Sequence, residues 1–209
     1  GFRPGTVGKV IDDVEIKIAE TGEILVKGPN IMMGYYKDEE KSAQVLKDGY
    51  FHTGDKGELD ADGFLKITGR TKEMFKTSGG KYVVPPLLEG ELKQSLFIEQ
   101  VMVIGEGEKM PAALIQLNFD FIKDWIDKKG HKIGKTNEEI IQSEIVISRV
   151  QEEVDKCNKN FGHWEQIKRF ELTSNTWTID DGHLTPTMKM KRPIIKEIYK
   201  DLYDKIYLK

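Results

Sequence analysis

Glycine interrupts the first third of this chain at short intervals, and this spacing constrains the fold more than any other feature of the sequence. Glycines lie at positions 5, 8, 22, 28, 34, 49, 54, 57, 63 and 69. Apolar and charged residues alternate between them, as at Val14, Ile16 and Ile18, a pattern typical of a half-buried strand. Glu20-Thr21-Gly22 and Asp60-Ala61-Asp62-Gly63 predict tight turns. We therefore expect residues 1–70 to form a small distorted barrel or sheet.

The rest of the chain shows apolar residues at helical spacing. Pro85-Pro86 opens a helix with Leu88 and Leu92 on its apolar face. Two paired strands and three helices are predicted after it, at Val101–Ile104, Ala112–Leu117, Phe119–Lys129, Glu138–Asn158 and from Pro193 onward. The sequence thus predicts an α+β fold with two domains, a β-rich one at 1–70 and a compact α+β one at 71–209, with the boundary at Arg70–Lys72.

Composition and charge exclude several classes of protein. No apolar stretch approaches the roughly 20 residues that a membrane-spanning helix needs. The formal net charge of −3, from 32 basic and 35 acidic residues, argues against a nucleic-acid-binding protein. The single cysteine, Cys157, excludes an internal disulfide and favours a reducing cytoplasm. Because the chain starts with Gly1 and has no leader-like segment, we expect a piece of a longer protein.

Residues for metal binding or nucleophilic catalysis are not grouped in the sequence. The histidines at 52, 131, 163 and 183 are scattered and lack metal-ligand spacing, so no metal site is expected. A pair formed by Cys157 and a histidine stays open as a nucleophilic alternative. The segment at 130–136 imitates a phosphate-binding loop but has three spacer residues instead of four. It is interpreted as a polar loop between helices.

Three polar segments are more informative. In 50–55, Asp55 follows Thr-Gly on a turn and offers two acceptor oxygens that suit ribose hydroxyls. In 69–89, Arg70 can donate a bidentate fork, and Gly79-Gly80 allows close approach of the backbone to a ligand. In 184–192, Lys189 places a mobile point charge on a loop. Each segment also has a plain explanation, respectively a turn, a flexible linker and a basic loop before a helix.

The order and spacing of these segments resemble the AMP-forming acyl-CoA synthetase and adenylating-enzyme superfamily over essentially the whole chain. The resemblance starts at Lys9-Val10 and Gly22–Gly28, continues through Met33–Tyr36 and Gly49–Asp55, and includes Gly69-Arg70 and Pro85–Glu89. The ending Leu184–Arg192, Glu165–Lys168 and the extra helical stretch from Phe121 to Phe161 are similar to the long-chain fatty acid ligase branch. By this resemblance, 1–70 is the end of the large adenylate-forming domain and 71–209 the mobile C-terminal domain.

The resemblance implies an enzyme that joins a long-chain fatty acid to ATP, used as Mg-ATP, and then transfers the acyl group to coenzyme A. It implies that Asp55, Arg70 and Lys81 bind the nucleotide and that Lys72 is the hinge. Ser78, Gly79 and Gly80 match the loop that lines the pantetheine path. Lys189 matches the mobile lysine that bridges the carboxylate and the α-phosphate, a charge stabilisation worth about a few kcal/mol.

The sequence departs from the family pattern at two places. Thr187-Met188 precedes Lys189 where Ser-Gly is common, which leaves Lys191 as a rival for the catalytic role. The hinge position holds Lys72 where many relatives have Asp. The family's phosphate loop, adenine-contacting segment and acyl tunnel lie upstream of residues like these, so the fragment alone is expected to be inactive. Two alternatives stay open: an enzyme that loads a carrier protein, and a non-catalytic binding module that kept the fold. Peripheral membrane contact of the parent enzyme is also open.

Overall fold

The computed structural model describes residues 3–71 and 73–208. The chain divides into two compact units, Gly1–Met74 and Phe75–Lys209. Lys72, the predicted hinge, lies outside the described residues. Within the described ranges, no helix has the length and apolar character needed to cross a membrane.

The first unit is built on one antiparallel sheet. Its strands are β1 (Gly8–Lys9), β2 (Glu15–Ile18), β3 (Glu23–Lys27), β4 (Leu46–Lys47), β5 (Tyr50–Leu59) and β6 (Phe64–Arg70), and its helix is α1 (Glu39–Val45). The strand order is β1-β6-β5-β3-β2, with β4 also paired to β5. Of the predicted alternatives, barrel or sheet, the described strands therefore form an open sheet.

The turn between β5 and β6 shows how local chemistry sets this register. The Asp60 carboxylate accepts hydrogen bonds from the backbone N–H groups of Asp62 and Phe64, both at 2.9 Å. Gly63 adopts a φ of 78°, a left-handed conformation that glycine tolerates at no steric cost. The same two backbone donors, with Arg3 nearby, lower the pKa of the Asp60 carboxyl. The turn aligns β6 against β5 so that Arg70 faces Asp55 across the sheet.

The second unit combines two small sheets with six helices in its described part. Its strands are β7 (Phe75–Lys76), β8 (Tyr82–Val83), β9 (Ile98–Ile104), β10 (Ala112–Leu117) and β11 (Arg169–Thr173). Its helices are α2 (Pro85–Leu92), α3 (Phe119–Lys129), α4 (Asn137–Gln142), α5 (Glu144–Asn158), α6 (Arg192–Ile198) and α7 (Lys200–Tyr207). β10 lies between β9, to which it is antiparallel, and β11, to which it is parallel. The predicted α+β class is confirmed.

The central sheet of the second unit is buried on both faces. One face, with Val101, Val103 and Ile115, packs in a large core with residues of α2, α3 and α5. The other, with Met102 and Leu114, packs with residues of α6 and α7. Strands covered on both faces read as continuous apolar runs, which explains why 101–104 and 112–117 lack alternation.

Two predicted helices are each broken in the structure. The segment expected as one helix at 138–158 divides at Ser143, whose ψ of 120° is extended. Serine competes for backbone hydrogen bonds and favours helix ends over helix interiors. The last helix divides at Tyr199, with φ −102° and ψ 31°. Cys157 is buried in the larger core as its spacing predicted, and burial raises the pKa of its thiol to about 11.

Candidate functional site

Asp55 and Arg70 form an ion pair in the first unit. They lie opposite each other on β5 and β6, and the Arg70 Nε donates to Asp55 Oδ1 at 2.6 Å. The Asp55 side chain is 24% exposed and that of Arg70 is 54% exposed. The hydrogen bond to Asp55 raises the pKa of Arg70. The structure thus brings two of the three predicted nucleotide-binding residues together, with the Asp55 carboxylate partly exposed to solvent.

The turn predicted at Asp55 is wrong, because Asp55 lies within the continuous strand β5. Neighbouring residues hold this part of the strand in place. The Thr53 hydroxyl accepts from the Asp55 backbone N–H at 3.0 Å and donates to the Ile24 carbonyl at 2.8 Å. The Glu23 carboxylate accepts from the Gly54 N–H at 2.9 Å and lies 3.1 Å from His52 Nδ1. Gly54 has a φ of 73°, a left-handed conformation that glycine tolerates, where the pairing of β5 with β3 shifts register. Sequence analysis missed Glu23, which is distant in sequence and is brought next to Gly54 by strand pairing.

The predicted loop Ser78–Gly80 connects β7 and β8 in the second unit. The Thr77 N–H donates to the Lys81 carbonyl and the Gly80 N–H to the Thr77 carbonyl, both at 2.9 Å. The Ser78 N–H donates to the Glu108 carbonyl at 2.9 Å, which fixes the loop to the β9–β10 connection. All three loop residues are exposed. This arrangement presents a narrow, glycine-lined surface to solvent.

Gly79 and Gly80 differ in how readily their backbone conformations would accept a side chain. Gly80 has a φ of 79°, where a side chain is strained, and a Cβ there would meet Lys76 Cε at 3.7 Å. A Cβ at Gly79 would meet Thr77 Oγ1 at 4.0 Å, an ordinary contact. Lys81, the third predicted nucleotide-binding residue, is exposed, and its Nζ lies 5.6 Å from the centroid of the Trp164 ring. Lys81 is therefore on the same loop as the glycines, with its ammonium accessible.

Lys189 follows the tip of a tight hairpin loop. The Met188 N–H donates to the Thr185 carbonyl at 2.8 Å, with Pro186 in the second position of the turn. Met188 has a φ of 59°, so the loop is a turn closed by a left-handed residue, as in three-residue hairpins. The Thr185 N–H donates to the Lys189 carbonyl at 2.8 Å, and the Thr185 hydroxyl accepts from the Lys189 N–H at 3.0 Å.

The Lys189 side chain is exposed, and no described carboxylate forms a salt bridge with it. A lysine with a fixed backbone and a free ammonium can move to an anion that a ligand supplies. Lys191, its rival, has its N–H bound to the His183 carbonyl at 2.9 Å and is half-buried. The backbone N–H of each lysine is hydrogen-bonded, so the two cations differ in exposure, with Lys189 exposed and Lys191 half-buried.

A buried ion pair ties the base of this loop to α2. Arg192 donates from Nη1 to Glu89 Oε1 at 2.8 Å and from Nη2 to Glu89 Oε2 at 2.6 Å. Glu89 Oε1 also accepts from the Val103 N–H at 2.8 Å, and the Glu89 side chain is 6% exposed. Removing one partner of such a pair costs about 3–5 kcal/mol, because the other charge is left buried. Sequence analysis missed the pair, although Glu89 falls on the apolar face of α2, between Pro85 and Leu92, where a carboxylate needs a partner.

Three aromatic rings support the same loop from the other side. His183 stacks on Trp177 with ring centroids 6.2 Å apart and on Tyr199 at 5.8 Å. Its Nε2 lies 3.3 Å from the Tyr199 hydroxyl, and its Nδ1 is 3.4 Å from the Thr178 N–H. Burial lowers the pKa of His183, so the ring is neutral at neutral pH. The stack joins the loop to the junction of α6 and α7.

The structure groups the predicted site residues into three places: the Asp55–Arg70 pair, the loop with Ser78, Gly79, Gly80 and Lys81, and the Lys189 hairpin. In the described part of the chain, no group of three or more His, Cys, Asp or Glu side chains could hold a metal ion. The roles of these residues stay predictions.

Comparison with known proteins identifies relatives of this chain. The chain is 36% identical over 205 residues to the long-chain-fatty-acid–CoA ligase FadD15 of Mycobacterium tuberculosis, covering 98% of this chain and 34% of the relative. It is 35% identical over 202 residues to human long-chain-fatty-acid–CoA ligase 1, covering 94% of this chain and 29% of the relative. The chain thus spans about a third of the length of the curated relatives it matches.

A solved structure shows the same fold. The adenylation domain of a carboxylate reductase from Mycobacterium chelonae superposes with a TM-score of 0.76 at 20% identity, covering 100% of this chain and 33% of that one. The model of the AMP-binding enzyme C-terminal domain matches residues 73–209, which include the glycine loop, the Glu89–Arg192 pair and the Lys189 hairpin. On the strength of that match, which extends over more than half of the sequence, the chain belongs to the AMP-binding enzyme C-terminal domain family.

Proposed function

We propose that this chain is the C-terminal part of an ATP-dependent, AMP-forming long-chain fatty acid–CoA ligase. In the first half-reaction a fatty acid carboxylate attacks the α-phosphate of Mg-ATP, forming an acyl-adenylate and releasing pyrophosphate. In the second, the thiol of coenzyme A attacks the acyl carbon, and AMP leaves. The two relatives named as long-chain-fatty-acid–CoA ligases, aligned over nearly the whole chain, support this substrate class.

The observation that carries the proposal is the Lys189 hairpin, which combines a fixed backbone with an unpaired, exposed ammonium group. Adenylation brings two anions, a carboxylate and a phosphate, into contact, and a cation at the point of attack stabilises the charge of the transition state. We assign that role to Lys189. A fixed backbone keeps the lysine within reach, while its four-carbon side chain lets the charge follow the reacting oxygens.

The remaining site residues are assigned to binding and movement. Asp55 accepts hydrogen bonds from the ribose hydroxyls of the nucleotide, with Arg70 orienting its carboxylate through the 2.6 Å hydrogen bond. Lys81 contacts nucleotide phosphate. Ser78, Gly79 and Gly80 line the path of pantetheine. Lys72 is the hinge between the two proposed domains, 1–70 and 71–209. The isolated chain is proposed to be inactive, because phosphate-loop and acyl-tunnel residues are expected elsewhere in the ligase.

Two other functions compete with this one. An adenylating enzyme could pass its acyl group to a carrier protein instead of coenzyme A. The likeness to a carboxylate reductase domain, at 20% identity, concerns the fold alone and does not favour that acceptor. A non-catalytic binding module would have no use for Asp55, Arg70 and Lys189 together. A buried free thiol at Cys157 fits a reducing compartment, and we propose the cytoplasm, with peripheral membrane contact of the ligase left to experiment.

The test compares coenzyme A with a carrier protein as the acyl acceptor. It also compares the activity of the 209-residue chain with that of the ligase that contains it. In the ligase that contains this chain, we expect pyrophosphate exchange that requires a long-chain fatty acid, and acyl-CoA as the product. The purified 209-residue chain should show no exchange under the same conditions. Transfer of the acyl group to a carrier protein but not to coenzyme A would support the first competitor. Absence of exchange by the folded ligase with any fatty acid would support the second.

A further inference from the structure

The Glu89–Arg192 ion pair connects α2 to the start of α6, just after the Lys189 hairpin. Glu89 lies on α2, and Arg192 begins α6, 103 positions later in the chain. Three hydrogen bonds converge on the Glu89 carboxylate, two from the guanidinium of Arg192 and one from the Val103 N–H. The carboxylate thereby fixes the guanidinium relative to both α2 and the central sheet.

Arg192 lies three positions after Lys189 in the sequence, at the end of the segment that returns from the hairpin. Three residues span at most about 10 Å of extended chain, so an anchor at Arg192 limits where the Lys189 backbone can lie. The other arm of the hairpin is also held, because Leu184 is fully buried and forms a bridge with Met190. Lys189 thus lies in a loop whose two arms are both anchored, and its side chain extends from that loop.

We propose that Glu89 is a positioning residue for Lys189, acting through Arg192 to hold the lysine loop where adenylation needs it. This proposal rests on the proposed function, in which Lys189 serves the first half-reaction. Charge adds a second effect, since the Glu89 carboxylate neutralises Arg192. Without it, an unpaired guanidinium would compete with Lys189 for the same phosphate and carboxylate oxygens.

A second ion pair in the same unit provides a matched control. Arg149 and Glu153 lie on α5 with side chains 28% and 14% exposed, similar to Arg192 at 30% and Glu89 at 6%. That pair lies within one helix and has no bond to the hairpin. Glu89→Gln and Glu153→Gln therefore each remove one carboxylate charge from an arginine pair. They differ in their connection to Lys189, and Arg149 also keeps its bond to Glu152.

The first experiment follows the two half-reactions in the ligase that contains this chain. Glu89→Gln should lower the rate constant of fatty-acid-dependent adenylation by about tenfold to a hundredfold, the size expected for a misplaced catalytic group. Thioester formation from supplied acyl-adenylate and coenzyme A should stay within about twofold of the wild type, since Lys189 is not used there. Glu153→Gln should leave both rates unchanged.

The second experiment measures how accessible the Lys189 loop is to a protease. It uses the 209-residue chain and does not depend on enzyme activity. Native trypsin cleavage after Lys189, followed by mass spectrometry, should be about tenfold faster in Glu89→Gln than in Glu153→Gln, because release of the anchor opens the loop locally. Arg192→Lys keeps the charge but loses the bidentate fork, and it should give an intermediate rate. If Glu89→Gln does not fold, Arg192→Lys carries both experiments.

A purely structural role would lower both half-reactions in parallel with the melting temperature, and that result would overturn the proposal. Equal cleavage of the loop in Glu89→Gln and Glu153→Gln would overturn it as well. A wild-type ligase without fatty-acid-dependent exchange would instead disprove the proposed function, while the cleavage comparison would still report whether Glu89 holds the hairpin.

Discussion

At the scale of single residues, the structure separates the two candidate catalytic lysines. Lys189 is exposed on its hairpin, whereas Lys191 is half-buried, and the backbone N–H of each is hydrogen-bonded. The family resemblance favoured Lys189, because Lys189-Met190-Lys191-Arg192 matches the family's order of Lys, apolar, any and Arg, and it left Lys191 as a rival. The structure adds that Lys189 is the more exposed of the two.

Replacing Lys189 with Ala in the ligase should cut the adenylation rate by about a hundredfold or more, the loss expected for one charge partner of the transition state. Thioester formation from a supplied acyl-adenylate should remain near normal. Pyrophosphate exchange and acyl-CoA formation measure the two steps separately. Lys191→Ala is the control and should change adenylation by less than about threefold. If Lys191→Ala reproduces the full loss, or Lys189→Ala damages both steps equally, the assignment is wrong.

The glycine loop offers a second residue-scale prediction. A bulky residue at Gly80 would obstruct the proposed pantetheine path, but the φ of 79° at Gly80 means that backbone strain would confuse the result. Gly79 has room for a Cβ without a left-handed backbone. Gly79→Leu should therefore slow thioester formation by about tenfold while adenylation stays unchanged. Gly90→Leu, on α2 where a Cβ meets nothing within 4 Å, is the control and should leave both steps intact.

At the scale of elements, the sequence predicted the helical segments of the second unit and the strands β9 and β10, but it missed β5, β7, β8 and β11. The strands around 101–104 and 112–117 and the helix at 119–129 were recognisable from their apolar runs and spacing. The breaks at Ser143 and Tyr199 were not, because periodicity continues across a break when both helices pack on one core. Glu89 and Glu23 escaped notice because their partners lie far away in the sequence, and only tertiary pairing reveals them.

The aromatic stack around His183 predicts a pH dependence of stability. Burial lowers its pKa, so the unfolded chain binds a proton that the folded chain does not, and stability falls as pH drops below about 6.5. Asp181 opposes the shift weakly, and Tyr199 stays protonated because burial raises its pKa. The melting temperature of the second unit should be lower at about pH 5 than at about pH 7.5.

Replacing His183 with Asn tests this prediction directly. The variant should melt lower at both pH values, since it leaves a cavity between two rings, but the difference between the two should shrink. His163→Asn, which removes an exposed histidine from the same unit, should leave the wild-type difference unchanged. An undiminished pH difference in His183→Asn would refute the role of this ring.

At the scale of the whole molecule, the chain is two compact units that each contain part of the proposed machinery. The first carries the Asp55–Arg70 pair and the second the glycine loop and the Lys189 hairpin. The Asp55–Arg70 pair, the glycine loop and the Lys189 hairpin are therefore each held by bonds within one unit. If the two steps use different residues, as proposed, a domain movement can exchange such pre-formed parts without rebuilding them.

The junction between the units predicts where a protease acts. β6 ends at Arg70 and β7 begins at Phe75, so neither element continues from one unit into the other. Limited trypsin digestion should first cleave between residues 70 and 80 and leave two resistant fragments, which mass spectrometry identifies. In a Lys76→Gln variant, trypsin should still cleave after Arg70 or Lys72, at a rate that is not greatly lower. First cleavage inside β9 or β10 would contradict this division.

The aromatic residues of the second unit also decide how the molecule can be observed. The chain's tryptophans are Trp125, packed edge-on against Phe97, Trp164, exposed near Lys81, and Trp177, stacked on His183. All belong to the second unit. Light absorbed at the red edge of the indole band therefore reports on that unit alone, while circular dichroism of the backbone reports on both. An unfolding curve followed by the two signals would separate the stabilities of the units without cutting the chain.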